Sequence, residues 1–230
     1  MRASARVAAV QGRASTSDRD VLIVGAGVAG LSLATALGRS GLRVTVIDGA
    51  SRPAPSPEGR DVGDWDLRVS ALTPTSVRFL ETLGAWSGIA ANRTAPYTGM
   101  QVWDAQGSGH ITFDAVEADS PHLGHIVENR LTLGALLQCA EACPGVDILW
   151  NHGLKSMVLA AEGWEVCCEG GKTICASLTV GADGARSRVR ELAAIPTREW
   201  SYRQSAIVGT VALESTHEDT CWQAFLDTGP

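Results

Sequence analysis

The chain has 230 residues, 45% of them hydrophobic and 19% charged, with a formal net charge of −6. That length and apolar content suffice to bury a core in one large domain or two small ones. The acidic balance argues against nucleic acid as a partner, since phosphate binding needs a surplus of Lys and Arg on one face, and no stretch approaches the ~20 uninterrupted apolar residues of a membrane span.

The first 19 residues carry Arg2, Arg6 and Arg13 with no acid before Asp18. Two readings fit: a disordered extension ahead of a fold that begins at Asp20, or a mitochondrial transit peptide. Val21–Val24 reads as a buried strand, Val28 to about Ser40 as a helix stopped by Gly41, and Val44–Ile47 as the next strand. Between strand and helix lies Gly25-Ala26-Gly27-Val28-Ala29-Gly30, and the second strand ends in Asp48. In this arrangement Gly25 makes the tight turn, Gly27 lets the backbone approach phosphates, and Gly30 lets the helix pack closely. The helix N-terminus offers unpaired N–H groups and a partial positive charge to a pyrophosphate, and Asp48 has the spacing of an acid that takes a ribose hydroxyl. A dinucleotide site follows from the whole unit rather than from the glycines alone.

Further along, Ser51–Gly63 is a Pro- and Gly-rich loop, Asp66–Leu72 can be extended, and Pro74 opens a helix through Leu83 that Gly84 closes. From Gly99 the pattern alternates: Met100–Trp103, a turn over Asp104–Gly109, then His110–Phe113. Ile126–Glu128 reads as a strand entering a helix at Asn129 that runs to about Ala142. Val146–Trp150, Leu154–Ala160, Trp164–Cys168 and Thr173–Val180 read as strands, followed by a sharp turn and a helix over Ala185–Leu192. Ser205–Leu213 and Cys221–Leu226 are expected to be strands again. The six cysteines, Cys139, Cys143, Cys167, Cys168, Cys175 and Cys221, form no Cys-x-x-Cys pair and have no histidine at metal-ligand spacing. They read as small core and surface residues in a reducing compartment, with the adjacent Cys167 and Cys168 pointing to opposite faces of a strand.

Three blocks carry a resemblance: the opening glycine fingerprint; Asp66-Leu67-Arg68 with Leu83-Gly84-Ala85-Trp86; and Val180-Gly181-Ala182-Asp183-Gly184 running on to Arg190. Together they resemble the class A flavin-dependent aromatic hydroxylases. Met100–Asp104, Ile126–Asn129, Tyr202–Val208 and Trp222–Phe225 followed by Gly229-Pro230 make the chain most similar, within that class, to the hydroxylases of ubiquinone biosynthesis. The similarity covers essentially everything from Asp20 onward. It implies an α/β fold: a Rossmann-like FAD-binding domain with an interleaved β-rich substrate domain. The expected division is 20–98 and 126–200 for FAD binding, with 99–125 and 201–230 for substrate.

The resemblance also implies a chemistry and a set of contacts. FAD is the cofactor, NAD(P)H a candidate transient reductant, O2 the co-substrate, and the ring of a prenylated phenol or quinol the acceptor. No side chain need act as a nucleophile, because the protein supplies placement, electrostatics and exclusion of water. Cofactor contacts are expected from Gly25, Gly27, Gly30, Asp48, Arg68, Asn129, Asp183 and Gly184. Arg68 is either a surface cation or a charge that stabilises reduced, anionic flavin. Asn129 either caps its helix or touches flavin, and Asp183 either caps the following helix or takes part in docking the cofactor. Arg186, Arg188 and Arg190 form a solvated helix face or attract the phosphates of a nicotinamide cofactor. Trp103 and Trp222 serve packing or line a substrate channel. Asp48 departs from the glutamate usual in flavin-binding proteins, but its shorter side chain still reaches a ribose hydroxyl.

Family members continue beyond the point where this chain stops, through a Gly-Asp motif and a C-terminal helical region. The chain is therefore expected to be an N-terminal part, with FAD binding weak and turnover absent when it is alone. A flavin hydroxylase of a soluble phenol, a non-catalytic binding module and an NAD-dependent dehydrogenase are the alternatives; the last lacks any evident His or Tyr-Lys catalytic motif. The resemblance further implies a place in the cytoplasm, with peripheral contact to the inner membrane and a quinone-synthesis complex, or in the mitochondrial matrix.

Overall fold

A computed structural model describes residues 18–55 and 64–227. The first 17 residues of the extension read over 1–19, part of the Ser51–Gly63 loop and the Gly229-Pro230 pair lie outside the described residues, and Arg19 already belongs to β1. In chain order the elements are β1 (Arg19–Val24), α1 (Val28–Arg39), β2 (Val44–Ile47), β3 (Val69–Leu72), α2 (Pro74–Thr82), α3 (Trp86–Ala90), β4 (Thr94–Tyr97), β5 (Gly99–Asp104) and β6 (His110–Asp114). There follow β7 (Gly124–Glu128), α4 (Asn129–Glu141), β8 (Val146–Leu149), β9 (Leu154–Ala160), β10 (Gly163–Cys168), β11 (Thr173–Gly181), α5 (Arg188–Leu192) and β12 (Thr220–Phe225). Two compact units divide them: one runs to Ala54 and resumes over Leu136–Trp200, the other takes Pro55–Ala135 and the chain from Ser201.

The first unit is a six-stranded sheet in the order β8-β2-β1-β11-β10-β9. Its first four strands are parallel, and β11, β10 and β9 form an antiparallel meander. A parallel strand is covered on both faces, so it reads as a continuous apolar run rather than an alternating one. All four residues of β2 and the last four of β1 are buried accordingly. Leu22, Val24 and Ile47 pack with Leu154, Val166, Cys168, Ile174 and Ala176 in one cluster, while α1 packs on β1, β2 and β8. Burial of each such Leu or Ile contributes about 1.5–3 kcal/mol. Cys168 is fully buried and Cys167 only partly, so the adjacent cysteines do face opposite sides; all six are free thiols.

Register brings three strand ends together. Val24 of β1 lies beside Ile47 of β2 and Gly181 of β11. Gly25, Asp48 and Ala182 therefore leave the sheet as neighbours at its carboxyl edge, where open α/β sheets bind ligands.

The second unit holds two three-stranded sheets, β3-β7-β4 and β12-β5-β6. Val77, Leu80 and Leu83 bury the apolar side of α2, which Thr73 caps by accepting from Ser76 N–H and which Pro74 begins. β12 pairs in parallel with β5 from Thr220↔Gly99 to Phe225↔Asp104, tying the end of the chain to its middle.

Two sequence expectations are corrected here. Ser205–Leu213 forms no strand: none of its residues pairs, and Ile207 is fully exposed. Apolar alternation there finds no ladder partner among the described residues, and a strand exists only where its N–H and C=O groups are paired. The helix expected over Ala185–Leu192 starts only at Arg188, because Gly184 turns the chain at φ +80° and Ser187 takes the N-cap position, accepting from Arg190 N–H.

Candidate functional site

In the first unit the site is built around the turn from β1 to α1. Gly25 sits at φ +108°, a left-handed conformation, and a Cβ there would run into the carbonyl of Ala182. A Cβ on Gly30 would strike the carbonyl oxygen of Gly25. Gly30 thus lets the helix close on its own entry turn, which refines the packing role expected for it. Gly27 differs from both. It is the N-cap of α1 with φ −77°, and a Cβ there would meet nothing within 4 Å. With no side chain capping α1 and no acid in its first turn, the N–H groups of that turn have no intrahelical acceptor, and Gly27, Val28 and Ala29 are exposed. The space over Gly27 and the donors beneath it fit a pyrophosphate.

Asp48 accepts Ala26 N–H at 2.7 Å through Oδ2 and Ala50 N–H at 2.8 Å through Oδ1. The carboxylate thereby holds the glycine turn against the end of β2, and each oxygen keeps lone-pair capacity for a ribose hydroxyl. Asp183 is already engaged: it accepts the Ser187 hydroxyl through Oδ1, and the N–H groups of Arg188 and Val189 through Oδ2 at 2.6 and 3.1 Å. The capping role weighed for it is realised, at a helix that starts three residues later than expected. Gly184 follows it with open space around its Cα. Gly25, Gly27, Gly30, Asp48, Asp183 and Gly184 are thus grouped at one edge of the first unit. Arg188 pairs with Glu191, and Arg190 donates to Ala185 carbonyl, so these two arginines serve α5 and its turn.

Arg68 and Asn129 belong to the second unit. Arg68 N–H donates to Asp66 Oδ1 at 3.0 Å, and its carbonyl accepts Asn129 N–H at 2.9 Å. The Arg68 side chain is exposed, and its guanidinium makes no ion pair among the described residues. Asn129 is the first residue of α4, and its carboxamide oxygen accepts the Ser70 hydroxyl at 2.6 Å, fastening β3 to the helix start.

Sequence reasoning missed Glu128. It is the last residue of β7, 2% exposed, and both its oxygens are engaged. Oε1 accepts Arg93 Nε at 2.7 Å; Oε2 accepts Arg130 Nε at 2.9 Å and the backbone N–H of Asp66 at 2.8 Å. Burial by itself pushes the Glu128 carboxyl up. The hydrogen bonds from Arg93, Asp66 N–H and Arg130, with the Arg130 charge, together outweigh it and hold the group below the ordinary glutamate value. Arg93 also lies 5.0 Å over the Trp65 ring. The one available signal was a lone acid closing the run Gly124–Glu128, directly after the apolar pair Ile126-Val127.

Two further groups stand near the same strands. His122 and His125 lie edge to face at 4.9 Å, with Trp86 against His125 at 5.1 Å. Burial, and then the neighbouring His122, hold His125 below the ordinary histidine value. Trp103 and Trp222 meet edge on at 6.4 Å on the adjacent strands β5 and β12, with Trp222 still exposed. Among the described residues no cluster of metal-ligating side chains occurs, and no helix is long and apolar enough to cross a membrane.

Comparison with known proteins bears on this geometry. The model of a family described as the FAD binding domain matches residues 18–226. The 3-demethoxyubiquinol 3-hydroxylase of Escherichia coli is 37% identical over 211 residues, which are 92% of this chain and 53% of that protein. The ubiquinone biosynthesis monooxygenase COQ6, mitochondrial, of Danio rerio is 35% identical over 237 residues, covering 94% of this chain and 47% of the relative. The chain thus spans about half the length of the curated relatives it matches. Among solved structures, Pseudomonas aeruginosa PqsL in complex with 2-aminobenzoylacetate aligns with a TM-score of 0.66 at 23% identity, over 80% of this chain and 48% of its own. The p-nitrophenol 4-monooxygenase PnpA of Pseudomonas putida DLL-E4 aligns at 0.62 and 25% identity, over 78% and 44%. These likenesses agree with the expected mixed α/β fold.

Proposed function

The chain belongs to the FAD-binding domain family, and from that premise we propose that the protein is an FAD-dependent monooxygenase hydroxylating the ring of a prenylated ubiquinone precursor. O2 supplies the oxygen, and a reduced nicotinamide or another donor supplies the electrons. The observation that carries this reading is 37% identity to a 3-demethoxyubiquinol 3-hydroxylase across 92% of the chain, reaching into both units.

When bound, FAD supplies the activation of O2 that no side chain here can provide. The residues of this chain bind and orient it. The first-turn N–H groups of α1 take the pyrophosphate over Gly27, with Gly25 and Gly30 keeping the turn tight beneath. Asp48 takes a ribose hydroxyl while holding Ala26, and the Asp183-Gly184 turn borders the same edge. In the second unit Arg68 presents an unpaired cation for the flavin ring, and Asn129 offers its amide nitrogen, which has no partner among the described residues. A prenylated substrate partitions into lipid. The same reading therefore puts the protein in peripheral contact with a membrane, on the cytoplasmic side in a bacterium or in the mitochondrial matrix, within reach of other quinone-synthesis enzymes.

The test is made on the full-length gene product. It should purify with bound FAD and hydroxylate a prenylated quinol in an O2-dependent assay, and a deletion strain should accumulate the prenylated precursor. A full-length protein that never binds flavin overturns the proposal. Accumulation of a water-soluble phenol instead would move the assignment to a hydroxylase of soluble phenols.

A further inference from the structure

We infer that Glu128 is a positioning residue for Arg68, acting as a buried rail to which the backbone on either side of that arginine is fastened. The inference rests on the reading that Arg68 faces the flavin, and adds to it what aims the cation and keeps it unneutralised. Three arginines lie along this segment. Arg93 and Arg130 both spend their charge on the Glu128 carboxylate, at 2.7 Å each. Arg68 pairs with nothing among the described residues.

The backbone contacts follow the same pattern. Glu128 Oε2 takes the N–H of Asp66, Asp66 Oδ1 takes the N–H of Arg68, and the next residue of the rail, Asn129, donates its N–H to the Arg68 carbonyl. Pairing of Val69 with Glu128 continues the attachment into β3. Arg93 closes the far end by donating to the Asp64 carbonyl at 3.3 Å. An exposed arginine loses rotamer entropy when it binds a ligand, and a backbone already fixed on both sides lowers what remains to be ordered. Glu128 itself is buried, with both oxygens engaged by protein donors. Its effect on the cofactor passes through Asp66 and Arg68.

The experiment is a double-mutant cycle on the full-length flavin-loaded protein. It reads the ratio of oxidised to two-electron-reduced flavin at a fixed solution potential, with the thermal midpoint of the apoprotein measured in parallel. Arg68→Ala should shift that ratio toward oxidised flavin by about tenfold, because a cation stabilises the reduced anion. Glu128→Gln keeps an acceptor for Asp66 N–H but loses the charge that neutralises Arg93 and Arg130. Misplacing Arg68 should move the ratio toward oxidised flavin by about three- to tenfold, whereas a shift toward reduced flavin would be the direct effect of the lost anion and would overturn the inference. In the double variant the Glu128 effect should vanish. Asp66→Ala leaves the buried ion pairs intact and removes the link to Arg68 N–H together with one carboxylate charge. It should give a smaller shift that also vanishes on the Arg68→Ala background, and it carries the cycle alone if Glu128→Gln does not fold.

Additive shifts overturn the inference, since Glu128 would then act independently of Arg68. If Arg68→Ala moves the ratio while neither Glu128→Gln nor Asp66→Ala does, the inference falls and the flavin assignment of Arg68 stands. If Arg68→Ala moves nothing, the flavin assignment itself falls and takes the inference with it.

Discussion

The glycine turn of the first unit and the Arg68 segment of the second are held by opposite means. Around Gly25–Gly30 the backbone does almost everything: a positive φ, two places where a Cβ cannot fit, and a helix end whose N–H groups have no intrahelical acceptor. One carboxylate, Asp48, ties the turn down. Around Arg68 the backbone is ordinary, and a buried carboxylate with two guanidinium partners keeps it in place. The first construction tolerates no added atoms at Gly25 or Gly30, and the second tolerates no lost charge.

The largest effect should come from breaking the second. Glu128→Ala leaves Arg93 and Arg130 facing a site with no anion and strips Asp66 N–H of its acceptor. Removing one partner of a buried ion pair costs about 3–5 kcal/mol. Denaturant unfolding of the chain should show a loss of that size, and a loss under about 1 kcal/mol would mean that water replaces the carboxylate readily.

Next in size is the first construction. Gly25→Ala forces a side chain into a left-handed conformation and against the Ala182 carbonyl. Strain of that kind costs about 1–3 kcal/mol, and the β11 turn must shift as well. The same denaturant series reads it, and full-length protein should lose FAD in parallel. A neutral Gly25→Ala would show that the turn is softer than its contacts indicate.

Acidification acts on the second unit in two steps. His125 is held below its ordinary value, so the folded state favours the neutral ring. Its contribution is complete above the unfolded histidine value of ~6.5 and is lost as pH falls from there through the lower folded value. Glu128 is also held low, so its contribution is complete above the unfolded glutamate value of ~4.3 and is lost only as pH falls further. Both carriers lie in the second unit. Unfolding midpoints should decline first between pH 7 and 5, and His125→Gln should flatten that step alone. An unchanged slope in that variant would assign the step to another group.

The contrast also explains which parts of the fold are legible in the sequence. Glycine spacing encodes backbone geometry locally, so the β1-α1-β2 unit was legible, with β2 found at Val44–Ile47. β9 was likewise found at Leu154–Ala160, because the apolar run and its flanking turns are contiguous. Glu128 was not legible. Its partners Asp66 and Arg93 lie 62 and 35 residues away, and only the pairing of β3, β4 and β7 into one sheet brings them together. A glutamate at the end of a strand reads as a solvated edge until that sheet is formed. Ser205–Leu213 failed in the converse way. Its composition suits a strand, but strand formation depends on a partner that local sequence does not specify.

The smallest effect on stability should come from Gly27→Ala, and it is the most discriminating. Gly27 already has φ −77°, which alanine adopts without strain, and its Cβ would point into open space. Alanine reduces the freedom of the unfolded chain, which favours folding by about 0.4–1 kcal/mol, but it is a poorer N-cap than glycine by a similar amount. The two nearly cancel, so the unfolding free energy should change by no more than about 0.5 kcal/mol. The added methyl would nonetheless occupy the approach to the α1 N–H groups. In full-length protein FAD affinity should therefore fall although the fold is untouched, whereas Gly25→Ala loses both together. If Gly27→Ala binds FAD as tightly as the parent, the pyrophosphate does not sit over the start of α1, and the backbone-built half of the site must be sought elsewhere along the sheet edge.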